Sequence, residues 1–177
     1  MIIGFTGYAG SGKSTAAQIL IRKHGFTLVK FAGSLKQMAR CLGLGEREIE
    51  GDLKEVPHPL LCGKSPRQFM QLLGTEFGRE MIGQDLWVRV AMAGAARALD
   101  QGGRVVIDDV RYPNEVAAIR DMGGRVLRIS RPGVGPVNGH TSESPPPGDL
   151  DVFNTRDVGH LEEALWFAMS WLEIDEE

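Results

Sequence analysis

The sequence predicts an α/β protein, a three-layer sandwich in which helices cover both faces of a five-stranded parallel sheet. Three observations predict it. Short apolar runs alternate with helix-length amphipathic stretches along the whole chain, the pattern of strands buried on both faces by crossover helices. The first run, Met1-Ile-Ile-Gly-Phe-Thr6, passes through a glycine-rich turn straight into a helical pattern. The chain has 177 residues, 42% of them hydrophobic and 24% charged, which suits one soluble domain with a real core.

The same composition narrows the partners. A net charge of −3 argues against nucleic acid as the main ligand. Cys41 and Cys62 each stand alone in the sequence, which fits a reducing cytosol and offers neither a disulfide framework nor zinc-ligand spacing. No apolar run approaches a membrane span in length. The first run has no basic flank and leads into the glycine turn, so it reads as a core strand and not as a signal peptide.

Taken in order, the first strand is followed by Gly7-Tyr-Ala-Gly-Ser-Gly-Lys-Ser14, which reads G-x-x-x-x-G-K-S. Strand, glycine turn and helix together make a phosphate-binding loop. Glycines let backbone N–H groups approach phosphate oxygens without Cβ interference, and the helix N-terminus adds positive potential. The candidate ATP ligands are therefore Ala9, Gly10, Ser11, Gly12, Lys13, Ser14 and Thr15. In such a loop the lysine reaches the β- and γ-phosphates and the Ser14 hydroxyl ligates Mg²⁺. A glycine turn without a ligand is the plain alternative.

The helix from Thr15 is followed by a strand at Phe26-Thr-Leu-Val-Lys-Phe31 and a helix from Ser34 to Leu42. Lys36 sits at the start of that helix. Gly43 to Pro59 is polar and reads as a short helix and a loop. Ser65-Pro-Arg67 is a helix start, with serine as N-cap and proline at the first helical position. That helix runs to about Met81, and another runs from Asp85 to Asp100. On the first, Arg67, Gln71, Gly74 and Gly78 fall at i, i+4, i+7 and i+11 and predict one stripe, with Phe69, Leu72, Leu73 and Phe77 opposite as core. Each glycine costs about 1 kcal/mol relative to alanine. Two readings fit that cost: a groove where Arg67 forks a phosphate and Gln71 or Thr75 reads polar edges, or close helix packing. Trp87 is either a base-stacking ring or a core residue.

Arg104-Val-Val-Ile-Asp108 is a buried strand ending in acid, and Asp108-Asp109 beside a phosphate loop suggests a carboxylate that holds Mg²⁺. One of the two acids is expected to take that role and the other to cap the next turn. Arg111 either points back to the site or is a surface arginine. A helix at 113–122 and a strand, Arg125-Val-Leu-Arg-Ile-Ser130, follow. Arg131 to Asp149 is rich in proline and glycine and long for a connector. It reads as a lid rooted at Arg131, with His140 and Glu143 as hydrogen-bonding residues that help close it. A last strand at Asp151-Val-Phe-Asn154 and an amphipathic helix marked by Leu161, Leu165, Ala168 and Leu172 complete the pattern.

Seven segments in this order carry a resemblance: the phosphate loop, Phe31-Ala-Gly-Ser-Leu-Lys36, Arg67-Gln-Phe-Met-Gln-Leu-Leu-Gly-Thr-Glu76, Asp85-Leu-Trp87, Asp109-Val-Arg111, Ser130-Arg-Pro132 and His140-Thr-Ser-Glu143. Over nearly the whole chain the sequence resembles the deoxynucleoside monophosphate kinases of tailed bacteriophages. Between Gly43 and Ser65 it is short where some members carry a long insertion. The resemblance implies a nucleoside-monophosphate-kinase fold in one domain, with a monophosphate-binding region at about 33–100 and a lid at about 131–149. It implies transfer of a phosphoryl group from ATP, with Mg²⁺, to a deoxynucleoside monophosphate in a host cytoplasm. Lys36, Arg67, Gly74, Thr75, Trp87, Asp109 and Arg111 match the monophosphate positions, and Lys13, Ser14 and Arg131 match the triphosphate and lid positions. Assembly is left open between monomer and homodimer.

Two other readings compete. One is a kinase on the same fold for a coenzyme precursor or a sugar acid. The other is a nucleotide-dependent switch, which for guanine would need an Asn-Lys-x-Asp base reader that the sequence lacks.

Overall fold

The computed structural model describes residues 1–135 and 145–171. Five strands form one sheet in the order β2-β3-β1-β4-β5, and every pairing is parallel. They are β1 (Ile2–Thr6), β2 (Phe26–Val29), β3 (Arg104–Ile107), β4 (Arg125–Ser130) and β5 (Leu150–Phe153). The helices are α1 (Lys13–His24), α2 (Gly33–Cys41), α3 (Glu46–Ile49), α4 (Pro66–Leu72), α5 (Leu86–Asp100), α6 (Pro113–Asp121) and α7 (Val158–Trp171). All five strands were legible as apolar runs, and their observed ends lie within two residues of the expected ones, β4 matching at both. No helix among the described residues is long and apolar enough to cross a membrane.

Alternation along β1 explains why the sheet carries helices on both faces. Ile3 and Phe5 are fully buried in a cluster with Ala16 and Leu20 of α1 and Leu161 and Leu165 of α7. Ile2 and Gly4 point the other way, toward α6. A Cβ on Gly4 would stand 2.6 Å from Ile119 Cδ1. All five residues of β1 are buried, as a central parallel strand requires.

The chain divides into two compact units, Met1–Lys30 with Met92–Glu177, and Phe31–Ala91. The first holds the sheet. The second has its own small core of Ala39, Leu44, Ile49 and Leu61, with Phe69 and Met70 packed against it.

The expected helix from Ser65 to about Met81 is present but is not one regular helix. Ser65 caps it as the sequence predicts, accepting from Gln68 N at 3.2 Å while Gln68 Oε1 accepts from Ser65 N. From Leu73 to Ile82 the backbone then runs in π-helical, i→i+5 register. A wider turn rotates every later residue away from its α-helical position, so the predicted stripe does not persist. Gly78 is buried, whereas Arg67, Gln71 and Thr75 are exposed. Leu72 and Phe77, expected in the core, are 40% and 41% exposed.

Candidate active site

The phosphate loop lies where the strand order reverses, with β3 and β2 on one side of β1 and β4 and β5 on the other. Ligands of open parallel sheets bind at such a point, beyond the carboxyl ends of the strands. Gly7 leaves the strand at φ +136°, and a Cβ there would stand 2.3 Å from Ile129 O. Gly12 precedes α1 at φ 108°, a left-handed value that only glycine adopts readily. Ser14 and Thr15 stand exposed in the first turn of α1.

Lys13 curls back over its own loop. Its Nζ donates to Gly7 O and to Tyr8 O, each at 2.7 Å. Burial lowers its pKa from 10.5 to about 8, helped by the charge of Arg111 and opposed by Asp108 and Asp109. Four charges therefore gather at the loop. Asp108 is only 5% exposed, and Lys30 pairs with it, 3.0 Å from Oδ1 and 3.1 Å from Oδ2. The hydrogen bond goes to Oδ2, and Oδ1 receives none. Asp109 is half-buried and Arg111 exposed.

The turn after these acids is capped by Glu115. Its buried carboxylate accepts from Arg111 N at 2.7 Å and Tyr112 N at 3.1 Å. This fixes the backbone that carries Arg111. Arg131 follows β4 and is exposed. His140 and Glu143 lie outside the described residues.

Within the second unit, both predicted phosphate-binding cations have glutamate partners. Lys36 donates to Glu50, and Arg67 Nε donates to Glu55. Arg67 and its partner are more than half exposed, and ion pairs of that kind contribute little. Trp87 is 6% exposed, and its Nε1 donates to Gly74 O at 2.8 Å. A Cβ on Gly78 would meet that indole nitrogen at 2.2 Å. The close-packing reading thus accounts for Gly78, and Trp87 lies against the backbone of the π segment.

Three residues escaped the sequence reading. Lys30 and Asn154 sit just beyond strands β2 and β5. Asn154 is buried and its Nδ2 donates to Ser11 O at 2.9 Å. A polar residue closing an apolar strand was the available signal for both. For Glu115 the signal was its place at the third position of a helix whose first residue is Pro113.

Comparison with known proteins follows the same lines. Residues 63–165 match the sequence profile of a family described as Deoxynucleotide monophosphate kinase. A protein of Acanthamoeba polyphaga mimivirus, assigned as a deoxynucleotide monophosphate kinase, is 34% identical over 160 residues, covering 81% of this chain and 80% of that one. The deoxynucleoside-5'-monophosphate kinase of Escherichia phage T5 is 39% identical over 57 residues, 32% of this chain and 22% of its own. Among solved structures, the APS kinase CysC of Mycobacterium tuberculosis superposes with a TM-score of 0.54 at 15% identity, covering 96% of each chain. That likeness concerns the fold alone.

Proposed function

We propose, because this chain belongs to the deoxynucleotide monophosphate kinase family, that it transfers the γ-phosphate of ATP to a deoxynucleoside monophosphate with the residues described above. The carrying observation is Lys13, held over the phosphate loop within the fields of Asp108, Asp109 and Arg111. The products are ADP and the deoxynucleoside diphosphate.

In this reading the first unit does the phosphoryl chemistry. Backbone N–H groups from Ala9 to Thr15 hold the triphosphate, and Lys13 and Arg131 spread charge on the moving group. Arg111 orients the acceptor phosphate. To the second unit falls the deoxynucleotide. Arg67 forks its phosphate, Lys36 adds charge, Gln71 and Thr75 offer polar edges, and Gly74 lets the substrate approach the backbone. Trp87, buried as it is, supports the backbone of Gly74. The acceptor is a phosphate oxygen already anionic at neutral pH, so no general base is assigned. The stretch that leaves Arg131 serves as a lid, and it is shorter than the expected 131–149, because Pro146 O accepts from Thr6 Oγ1 and Asp149 Oδ2 accepts from Val126 N, which anchor 146–149 to the sheet.

The donors fit Mg²⁺. The Ser14 hydroxyl and the Asp109 carboxylate are hard oxygen ligands, and this ion keeps waters and takes one or two protein groups plus phosphate. No larger cluster of potential metal ligands occurs among the described residues. When bound, Mg²⁺ neutralises charge on the phosphates. The working compartment in this reading is the host cytoplasm.

The test is ADP release from ATP across the four deoxynucleoside monophosphates and their ribose forms, with and without a chelator. Release should require a deoxynucleoside monophosphate and Mg²⁺ and should vanish in Arg67→Ala. Steady release indifferent to all eight acceptors would refute the reading.

A further inference from the structure

A loop that binds phosphate through backbone N–H groups needs its peptide planes turned the right way. In a trans peptide the carbonyl and the following N–H point in opposite directions, and no cis peptide occurs among the described residues. Whatever fixes the Ser11 carbonyl therefore fixes the Gly12 N–H as well.

Asn154 is the group that meets this carbonyl. Its Nδ2 donates to Ser11 O at 2.9 Å in a buried contact spanning 143 residues of sequence. Its own backbone is held too, because Asn154 N donates to Ser130 O at 2.7 Å just where β4 and β5 end their pairing at Ser130 and Phe153. The approach is close. A Cβ on Gly12 would stand 2.5 Å from Nδ2 and 3.5 Å from Asn154 Cγ. The Ser11 side chain does not hold the carbonyl, since its buried Oγ has no hydrogen-bond partner, and the bond from Ser11 N to Tyr8 O at 3.2 Å fixes the preceding peptide and not this carbonyl. A carbonyl can only accept, so the amide orientation of Asn154 follows from this contact.

We propose that Asn154 is the positioning residue of the phosphate loop: its amide holds the Ser11 carbonyl outward and so turns the Gly12 N–H inward, toward the triphosphate. This rests on the reading that the loop binds ATP. Aspartate at this position has the same shape but only accepts, so it would repel the carbonyl. Alanine would leave the carbonyl buried without a donor.

The experiment compares the full-length protein with Asn154→Ala and Asn154→Asp. It measures the Kd of a non-hydrolysable ATP analogue with Mg²⁺, the KM of both substrates, and thermal melting. The Kd should rise roughly tenfold in Asn154→Ala, the scale of one lost hydrogen bond, and further in Asn154→Asp. KM for the deoxynucleotide should stay within about twofold of the parent value. An unchanged Kd in either folded variant overturns the proposal, as does an equal loss for both substrates. If the aspartate variant does not fold, the alanine variant decides. The analogue binds without an acceptor, so this readout stands even if no deoxynucleoside monophosphate is accepted.

Discussion

Lys13 donates to two carbonyls of its own loop, and burial has lowered its pKa to about 8. Between that value and 10.5 the folded protein holds the lysine neutral while the unfolded chain keeps it charged. The unfolded chain then binds more protons, so the lysine's contribution to stability rises with pH across that window. Below it, the cost of burying the charge is present in full. Triphosphate draws the lysine back to its charged form. ATP affinity should therefore fall as pH rises past 8, and ATP binding near that pH should take up a proton. Calorimetry in two buffers of different ionisation enthalpy reads this directly, and zero uptake would contradict it. Lys13→Ala should lower kcat roughly 10²–10³-fold, the usual effect of losing one charge-stabilising donor. Glu115→Ala leaves two backbone N–H groups without their acceptor. It should lower stability by about 1–3 kcal/mol and reduce kcat/KM for the deoxynucleotide through Arg111, measured by melting and steady-state kinetics. At this scale, legibility in the sequence depends on distance along the chain. Lys13 and Ser14 declare themselves within one eight-residue motif. The pairing of Lys30 with Asp108 spans 78 residues, and nothing local in either segment names the partner.

At the scale of elements, the segment from Leu73 to Ile82 separates what pattern can and cannot show. Its existence and its capped start were readable from Ser65-Pro-Arg67. Its i→i+5 register was not, because no local pattern announces it and the Trp87 indole that lies against Gly74 and Gly78 comes from another helix. The two glycines in it make a paired prediction. In Gly78→Ala the new Cβ would fall 2.2 Å from Trp87 Nε1, whereas in Gly74→Ala it meets only the flexible end of Leu35 at 3.3 Å. Gly78→Ala should destabilise by about 1–3 kcal/mol, the range for overpacking, and shift tryptophan fluorescence. Gly74→Ala should be much milder. Equal effects in the two variants would show that the indole does not set this packing.

For the whole molecule, the two units have cores of different sizes. Helices α1 and α7 seal one face of the sheet over Ile3, Phe5, Leu127 and Ile129, while in the unit from Phe31 to Ala91 the cluster around Ile49 is smaller, four buried residues with Phe69 and Met70 against it. Local opening follows buried apolar contact. Hydrogen exchange should therefore be faster across 31–91 than in β1, β3 and β4, and uniform protection would count against this. The parallel sheet itself was legible because strands buried on both faces read as unbroken apolar runs. The order of its strands was not, since apolar runs do not say which neighbour they choose. That order also bears on how the protein is made. Ile2 pairs with Val105 and Ile3 with Arg125, so β1 leaves the ribosome about a hundred residues ahead of either partner. At about 5–20 residues per second, a strand that ends up buried at every position waits roughly 5–20 s with both edges open. In that interval a chaperone that shields extended apolar segments has its opportunity.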